Sequence, residues 1–340
     1  MEQIRLALVG CGYWGPKVLR AAASLPEIEV TALVDREVER AEALRRHFPA
    51  ARAFTSLTEA LDELDAAIIA TNPATHADLA EEAIAAGKHV LVEKPLALTA
   101  ADCRRLGAAA ADRGVTLMAG HTFLFEPAVE HVRGLLEREE LGRLYYIDSQ
   151  RLNLGIVRSD VDAVWNFAPH DISILNHWLG RAPTAVRCHG YDYLQEGVDD
   201  VGFLILEYDR AAVAHVHVSW LSPSKVRRMT VVGSEQMVVY DDVATEKIVL
   251  YDAGIDKQNI DRSLGDFQSF GEFQLIHRLG DLHVPRIASV EPLVAEMRHF
   301  VDCILTGSDP VTNAAHATDV VATLEAATVS RRSGGERVEL

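Results

Sequence analysis

The sequence is short of cysteine, of positive charge and of long apolar runs. Its four cysteines, Cys11, Cys103, Cys188 and Cys303, stand apart with no C-x-x-C pair. That spacing suggests neither a zinc knuckle nor a dithiol redox motif. Reduced, partly buried thiols in a reducing cytoplasm are the expected state. Lysine and arginine number 33 against 50 aspartates and glutamates, a formal net charge of -17. Such a chain repels nucleic acid and anionic membrane surfaces, so neither is expected as a partner. An anionic ligand is not excluded, because a helix end or a single basic residue can hold one. No apolar run approaches the ~18 residues of a membrane span. The opening "MEQIRLALVGCG" has no basic segment followed by a long apolar one, so no signal peptide is expected and the protein is read as cytoplasmic. Internal repeats and low-complexity segments are also lacking.

What is present is a chain of 340 residues, 49% hydrophobic and 24% charged, the balance of a globular protein with room for two domains. The first third alternates. "IRLALVG", "IEVTALVD", "RAF", "LDAAIIAT", "KHVLVEK" and "VTLMAGH" read as strands, and helical segments lie between them. Ser56 and Thr99 stand where N-caps belong, Gly87 and Gly114 where helices end. The strands are apolar runs, as expected where helices cover both faces of a parallel sheet. After about residue 122 the strands are separated mostly by turns, with helices near 126–138 and 170–179 and two more near 291–306 and 314–332. The expected fold is α/β: a doubly wound parallel sheet over 1–121, then an α/β domain over 122–340 with an open, mainly antiparallel sheet. The stretch 252–290 has little periodicity and reads as loop-rich.

"LALVGCGYWGPKVL" sets Gly10, Gly12 and Gly15 in G-x-G-x-x-G spacing. The motif follows the first strand and opens the first helix, the context that gives it meaning. Gly10 permits the turn, Gly12 lets the backbone approach a pyrophosphate, and Gly15 packs helix on strand. Tyr13 and Trp14 lie inside the same turn. Asp35 ends the second strand, twenty positions after Gly15, where a carboxylate accepts hydrogen bonds from an adenosine ribose. It would repel a 2′-phosphate, which favours NAD over NADP, although Arg36 softens that preference. "ATNPATH" places Thr71, Asn72, Pro73 and His76 after the fourth strand, and "VEKP" places Glu93, Lys94 and Pro95 after the fifth. Ligands of such sheets bind outside the carboxyl ends of the strands, so these residues are candidates for the cofactor side.

Together with "GHTFLFEPAV", "NFAPHDISIL" and "EMRHFVDCILTGSDPV", these motifs resemble the Gfo/Idh/MocA family of sugar, cyclitol and related dehydrogenases. The resemblance runs over essentially the whole chain. It implies a Rossmann domain, a second α/β domain whose open sheet makes the subunit contact, and a homodimer or homotetramer. It implies that Lys94 holds the reacting hydroxyl and that Pro95 fixes its loop, with a cis Lys-Pro bond as one form of it. The family commonly carries D-x-x-x-H in the second domain, with the histidine assisting proton transfer. Here Asn166 and His170 hold those places, so the histidine is present and the carboxylate is not. Asp171 is a poor substitute, since a helical neighbour points elsewhere. The stretch from Tyr145 to Gly180 resembles members that oxidise the sugar of a nucleotide-linked substrate, which makes Arg151, Asn153, Arg158 and Trp165 candidate substrate contacts. The other reading of Arg151 and Asn153 is a solvated strand face. His170, with an intrinsic pKa near ~6.5, is assigned as acid/base and Lys94 as orienter and polariser.

Three further features have simpler readings. His215 and His217 share a strand face at metal-binding spacing, but no third ligand is evident and no metal is expected. Trp165 and Trp220 suit a sugar site or a core. Asp199–Asp200 reads as a solvated turn. The rival functions are a free-sugar or inositol dehydrogenase and a non-catalytic NAD-bound sensor.

Overall fold

The computed structural model describes residues 3–155, 157–209, 212–255 and 277–340. It divides into two compact units, residues 1–126 with 290–325 and residues 127–289 with 326–340.

The first unit is built on strands β1 (Ile4–Val9), β2 (Ile28–Val34), β3 (Arg52–Phe54), β4 (Ala66–Ile69), β5 (His89–Glu93) and β6 (Leu117–Gly120). All pair in parallel, in the order β3-β2-β1-β4-β5-β6. The order reverses direction between β1 and β4, the switch point at which such sheets bind ligands. The crossovers carry α1 (Gly15–Ala23), α2 (Val38–Arg45), the single turn α3 (Leu57–Ala60), α4 (His76–Ala85) and α5 (Ala100–Arg113). The caps behave as composition suggests. Ser56 accepts from Glu59 N and Thr99 from Asp102 N, while Gly87 and Gly114 take positive φ, +73° and +65°. Leu6, Leu8, Ile68, Leu91 and Met118 of the sheet share one core with Leu19 of α1 and with Met297, Phe300 and Val301. Those last three belong to α8 (Pro292–Thr306). The chain therefore returns to its first unit near the C-terminus, which the sequence reading, with its boundary at 121, does not anticipate. Burial of an apolar helix stripe drives the return.

The second unit contains α6 (Pro127–Glu137), β7 (Leu144–Leu154), α7 (Ala163–Leu179), β8 (Ala185–Tyr191), β9 (Val201–Tyr208), β10 (Ala212–Ser219), β11 (Leu221–Gly233), β12 (Met237–Asp241), β13 (Ile248–Ile255), β14 (His277–His283) and β15 (Val338–Glu339). A last helix, α9 (Ala314–Arg332), contributes residues to both units. The sheet order is β14-β13-β12-β11-β7-β10-β9-β8-β15, with β7 and β10 parallel and the other described pairs antiparallel. Along β9 burial alternates residue by residue, the mark of a sheet covered on one face. Leu204, Leu206 and Tyr208 point to the covered side, where Ile172, Leu175 and Trp178 of α7 are also buried.

Two expectations change here. The helix expected near 170–179 begins at Ala163, where Asp162 caps Trp165 N at 2.8 Å, and it runs through Pro169. Proline costs one helical hydrogen bond and usually marks a boundary, yet eleven buried residues along α7 hold it in place. The loop-rich reading of 252–290 gives way to strand over 252–255 in β13 and 277–283 in β14, residues 284–290 are irregular as expected, and 256–276 lie outside the described residues.

Candidate active site

The glycine turn between β1 and α1 is shaped by close backbone approach. Gly10 has φ +99°, and a Cβ there would lie 2.7 Å from Ala70 O. A Cβ on Gly15 would lie 2.0 Å from Gly10 O. Gly12 is different: a Cβ would meet nothing within 4 Å, so its backbone is bare toward open space. Trp14 stands at the N-cap of α1 and gives it no side-chain cap. Pro16 has no N–H and the Lys17 N–H bonds Trp14 O at 2.9 Å, so an anion at this helix end is met mainly by the backbone of the glycine turn. A cleft of about 530 Å³ adjoins the turn, lined by Gly10, Gly12, Asp35, Arg36, Thr71 and Asn72 among others. One oxygen of Asp35 accepts from Cys11 N at 2.8 Å and the other from Glu37 N at 3.0 Å. The carboxylate therefore braces the turn while bordering the cleft. These features fit a dinucleotide, with the pyrophosphate at Gly12 and α1 and the adenosine ribose at Asp35. Cys11 lies in the same turn, and burial first, then Asp35, pushes its thiol up to about 12. It is no nucleophile at neutral pH.

The loops after β4 and β5 are tied together. Asn72 Oδ1 accepts from Ala74 N at 3.0 Å, and the Thr71 and Thr75 hydroxyls bond at 2.8 Å. His76, expected on the cofactor side, is 1% exposed. Its Nδ1 lies 2.8 Å from Pro95 O and its Nε2 3.2 Å from Thr71 O. Burial lowers its pKa, and a neutral ring has one N–H, which can donate to only one of these two carbonyls. The Lys94-Pro95 bond is cis.

At the end of β5, Glu93 accepts from the Trp14 indole N–H through one oxygen and from Lys94 N at 3.3 Å through the other. The N-cap of the cofactor helix and the Lys94 loop are thereby linked by one side chain. Burial drives the Glu93 pKa up to about 7, against the pull of Trp14 and then Lys94. Tyr13 is largely exposed, with Lys17 Nζ 3.4 Å above its ring.

Sequence reasoning misses two buried groups here. Glu296 of α8 is fully buried and takes the Thr122 hydroxyl at 2.9 Å. His121, 2% exposed, follows β6 and meets His316 edge-on at 5.4 Å. Burial, then His316 and Lys94, hold His121 well below its usual range. A signal for Glu296 exists: it occupies the apolar stripe that Met297, Phe300 and Val301 define.

In the second unit, half-buried Asn166 and His170 lie four residues apart on α7. Trp165 donates from Nε1 to Thr328 Oγ1 at 2.9 Å. Arg151 matches neither of its two readings. It is buried and forms a bidentate pair with Asp171, at 2.7 and 3.2 Å, while Ser149 donates to the same carboxylate at 3.0 Å. Asp171 is thus committed to Arg151. Arg158 is paired with Asp160 at 2.9 and 2.6 Å, and Asn153 is half-buried near the end of β7. Asp199 and Asp200 are both buried, which corrects the solvated-turn reading. Asp199 pairs with Arg331, and Asp200 accepts from Tyr193 N and Leu194 N at 2.7 and 2.8 Å. His215 bonds Asp148 at 2.7 Å and His217 stacks on Phe203 at 4.5 Å. No group of three metal-capable side chains occurs among the described residues. Trp220 is core.

The fold and the dinucleotide cleft define a class, and comparison with known proteins gives it a family. Residues 4–121 match "Oxidoreductase family, NAD-binding Rossmann fold", and residues 129–239 match the GFO/IDH/MocA C-terminal domain. The chain belongs to the Gfo/Idh/MocA family of oxidoreductases, and its first unit is an NAD-binding Rossmann domain. Among its relatives is the scyllo-inositol 2-dehydrogenase (NADP(+)) IolU of Bacillus subtilis (strain 168), 30% identical over 71% of this chain and 76% of that one. The UDP-N-acetylglucosamine 3-dehydrogenase of Acidithiobacillus ferrooxidans is 27% identical over 71% of this chain and 75% of its own. The solved structure of GenD2 from gentamicin A biosynthesis, in complex with NAD, superposes with a TM-score of 0.83 at 27% identity, over 100% of this chain and 97% of that chain.

Proposed function

We propose that this protein is an NAD-dependent dehydrogenase acting on a secondary alcohol of a sugar, and that the sugar is carried on a nucleotide. The observation that carries the reading is the Trp14–Glu93 bond, which joins the mouth of the cofactor helix to the Lys94 loop. Bound nicotinamide supplies the hydride acceptor, or the donor in reverse. Lys94 orients and polarises the reacting hydroxyl, and His170 takes its proton as general base. Asn166 cannot share that charge; its amide is left to hydrogen bonding. Asp35 favours NAD over NADP by repelling a 2′-phosphate, with Arg36 and Arg40 of the same cleft acting against it.

The nucleotide-linked form is supported by the UDP-N-acetylglucosamine 3-dehydrogenase relative and by half-buried Asn153, while Arg158 would have to exchange its surface pair with Asp160 for a substrate anion. Arg151 lends it no support, being held by Asp171. Free sugars and inositols are the second reading, favoured by the IolU relative. We also place the protein in the cytoplasm, in keeping with four free cysteines and with no described helix long and apolar enough to cross a membrane. A homodimer or homotetramer is proposed on the open sheet, where the register partners Val213 and Tyr146 are 42% and 50% exposed. Nucleic acid is no partner of so acidic a chain.

The test is direct. Lys94→Ala and His170→Ala should each lower kcat/KM by at least about 100-fold, with NADH still bound when titrated by fluorescence. Near-normal turnover in both would remove the assignment.

A further inference from the structure

Two carboxyls are buried in the same part of the first unit, and they differ in what surrounds them. Glu93 is 9% exposed and both its oxygens face donors, the Trp14 indole and the Lys94 peptide N–H. Glu296 is 0% exposed, accepts only the Thr122 hydroxyl through Oε2, and leaves Oε1 without a hydrogen-bond partner among the described residues. An ionised carboxylate accepts at both oxygens, and stripping one of them is costly in a buried place. Two buried carboxylates within electrostatic reach do not both ionise near neutral pH.

We propose that Glu296 is a positioning residue for Lys94: of the two carboxyls it is the one that keeps a proton, leaving the single negative charge on Glu93. The proposal rests on the reading of Lys94 given above. Its consequence is that Lys94 faces one anion, Glu93, with a neutral acid behind it. The electrostatics agree. Burial first, and the charge of Glu93 second, hold Glu296 well above the usual carboxylate range. The other titratable groups around the cluster are Lys94 on the β5 loop, His76 on α4, His121 and Glu126 on the turn after β6, His299 on α8 and His316 on α9. His121 is neutral for the reasons given. His299 is turned to Val311 N at 3.0 Å and to the Phe125 ring at 5.3 Å.

Glu296→Gln tests it without any substrate. A carboxyl whose pKa rises on folding holds its proton more tightly in the native chain. Native stability therefore falls as pH climbs from the unfolded value, near ~4.3, through the folded one. Glutamine does not titrate. The melting temperature of Glu296→Gln relative to wild type should rise between about pH 5 and about pH 8, by at least ~2 °C. A difference that does not change with pH overturns the proposal. If the variant does not fold, infrared spectra of the wild-type protein near pH 8 decide. A carboxylic-acid carbonyl band persisting there supports the proposal, and its absence overturns it. In turnover, Glu296→Gln should also move the alkaline limb of kcat/KM to lower pH, because the charge Glu296 gains at high pH no longer helps hold Lys94 protonated, which a merely structural role would not do. The first two measurements need no alcohol substrate, so their failure is distinct from failure of the dehydrogenase reading.

Discussion

At the scale of single residues, charge placement decides most of what this chain can do. Asp35 is the clearest case. It is bonded by two backbone N–H groups yet borders the cleft. Replacing it with serine removes the repulsion toward a 2′-phosphate and leaves Arg36 and Arg40 to attract one. The ratio of kcat/KM for NAD over NADP should fall by at least about tenfold in Asp35→Ser; an unchanged ratio would place cofactor choice elsewhere. Arg151 makes the opposite point. The sequence shows a cationic residue on a strand and suggests a ligand contact, but the pair with Asp171 is almost wholly buried, 6% and 2% exposed. Arg151→Met strands a buried carboxylate and should cost about 3–5 kcal/mol in urea unfolding, much of it recovered in Arg151→Met with Asp171→Leu. Equal losses in single and double variants would show that the pair is not what holds this region. Motif reading finds Asp35 because a dinucleotide turn has a fixed spacing. It misses the Arg151–Asp171 pair and the Asp199–Arg331 pair because partners 20 and 132 residues away are set by tertiary packing, and it misses Asp200 because two backbone N–H groups six and seven residues back fold onto it in a loop.

At the scale of elements, the six parallel strands were legible as apolar runs, since helices on both faces remove the alternation that marks a half-solvated strand. Helix ends were legible where a cap or a glycine marks them. The start of α7 was not, because Pro169 looks like a boundary while burial overrides it. Asp162 begins this helix by capping Trp165 N, and its other oxygen pairs with Arg331 at 2.7 Å. Asp162→Ala should lower stability by at least about 1 kcal/mol in thermal unfolding, and an unaltered transition would mean that the cap is dispensable. The turn into α1 is stricter still. Gly15→Ala puts a methyl 2.0 Å from Gly10 O, so α1 must shift. The variant should lose measurable NADH binding in a fluorescence titration, whereas retained affinity would contradict the close-packing role of Gly15.

At the scale of the whole molecule, two sheets of different grammar explain why the sequence splits where it does. The parallel one needs crossover helices and carries the dinucleotide at its switch point. The largely antiparallel one is built from hairpins and is covered by helix on one face. The return of α8 to the first unit was hidden, because an amphipathic helix does not say which core it covers. It matters chemically, since it brings Glu296 into the same buried cluster as Glu93. Ligand binding should also be visible globally: saturating NADH must raise the melting temperature if only the native state binds it. The central claim is hydride transfer between nicotinamide and a sugar alcohol, and the absorbance of reduced nicotinamide measures it most directly. With NAD and a panel of UDP-sugars, free sugars and inositols, the account predicts NADH formation with at least one UDP-sugar, lost in Lys94→Ala. No reduction of NAD or NADP by any member of the panel would contradict it.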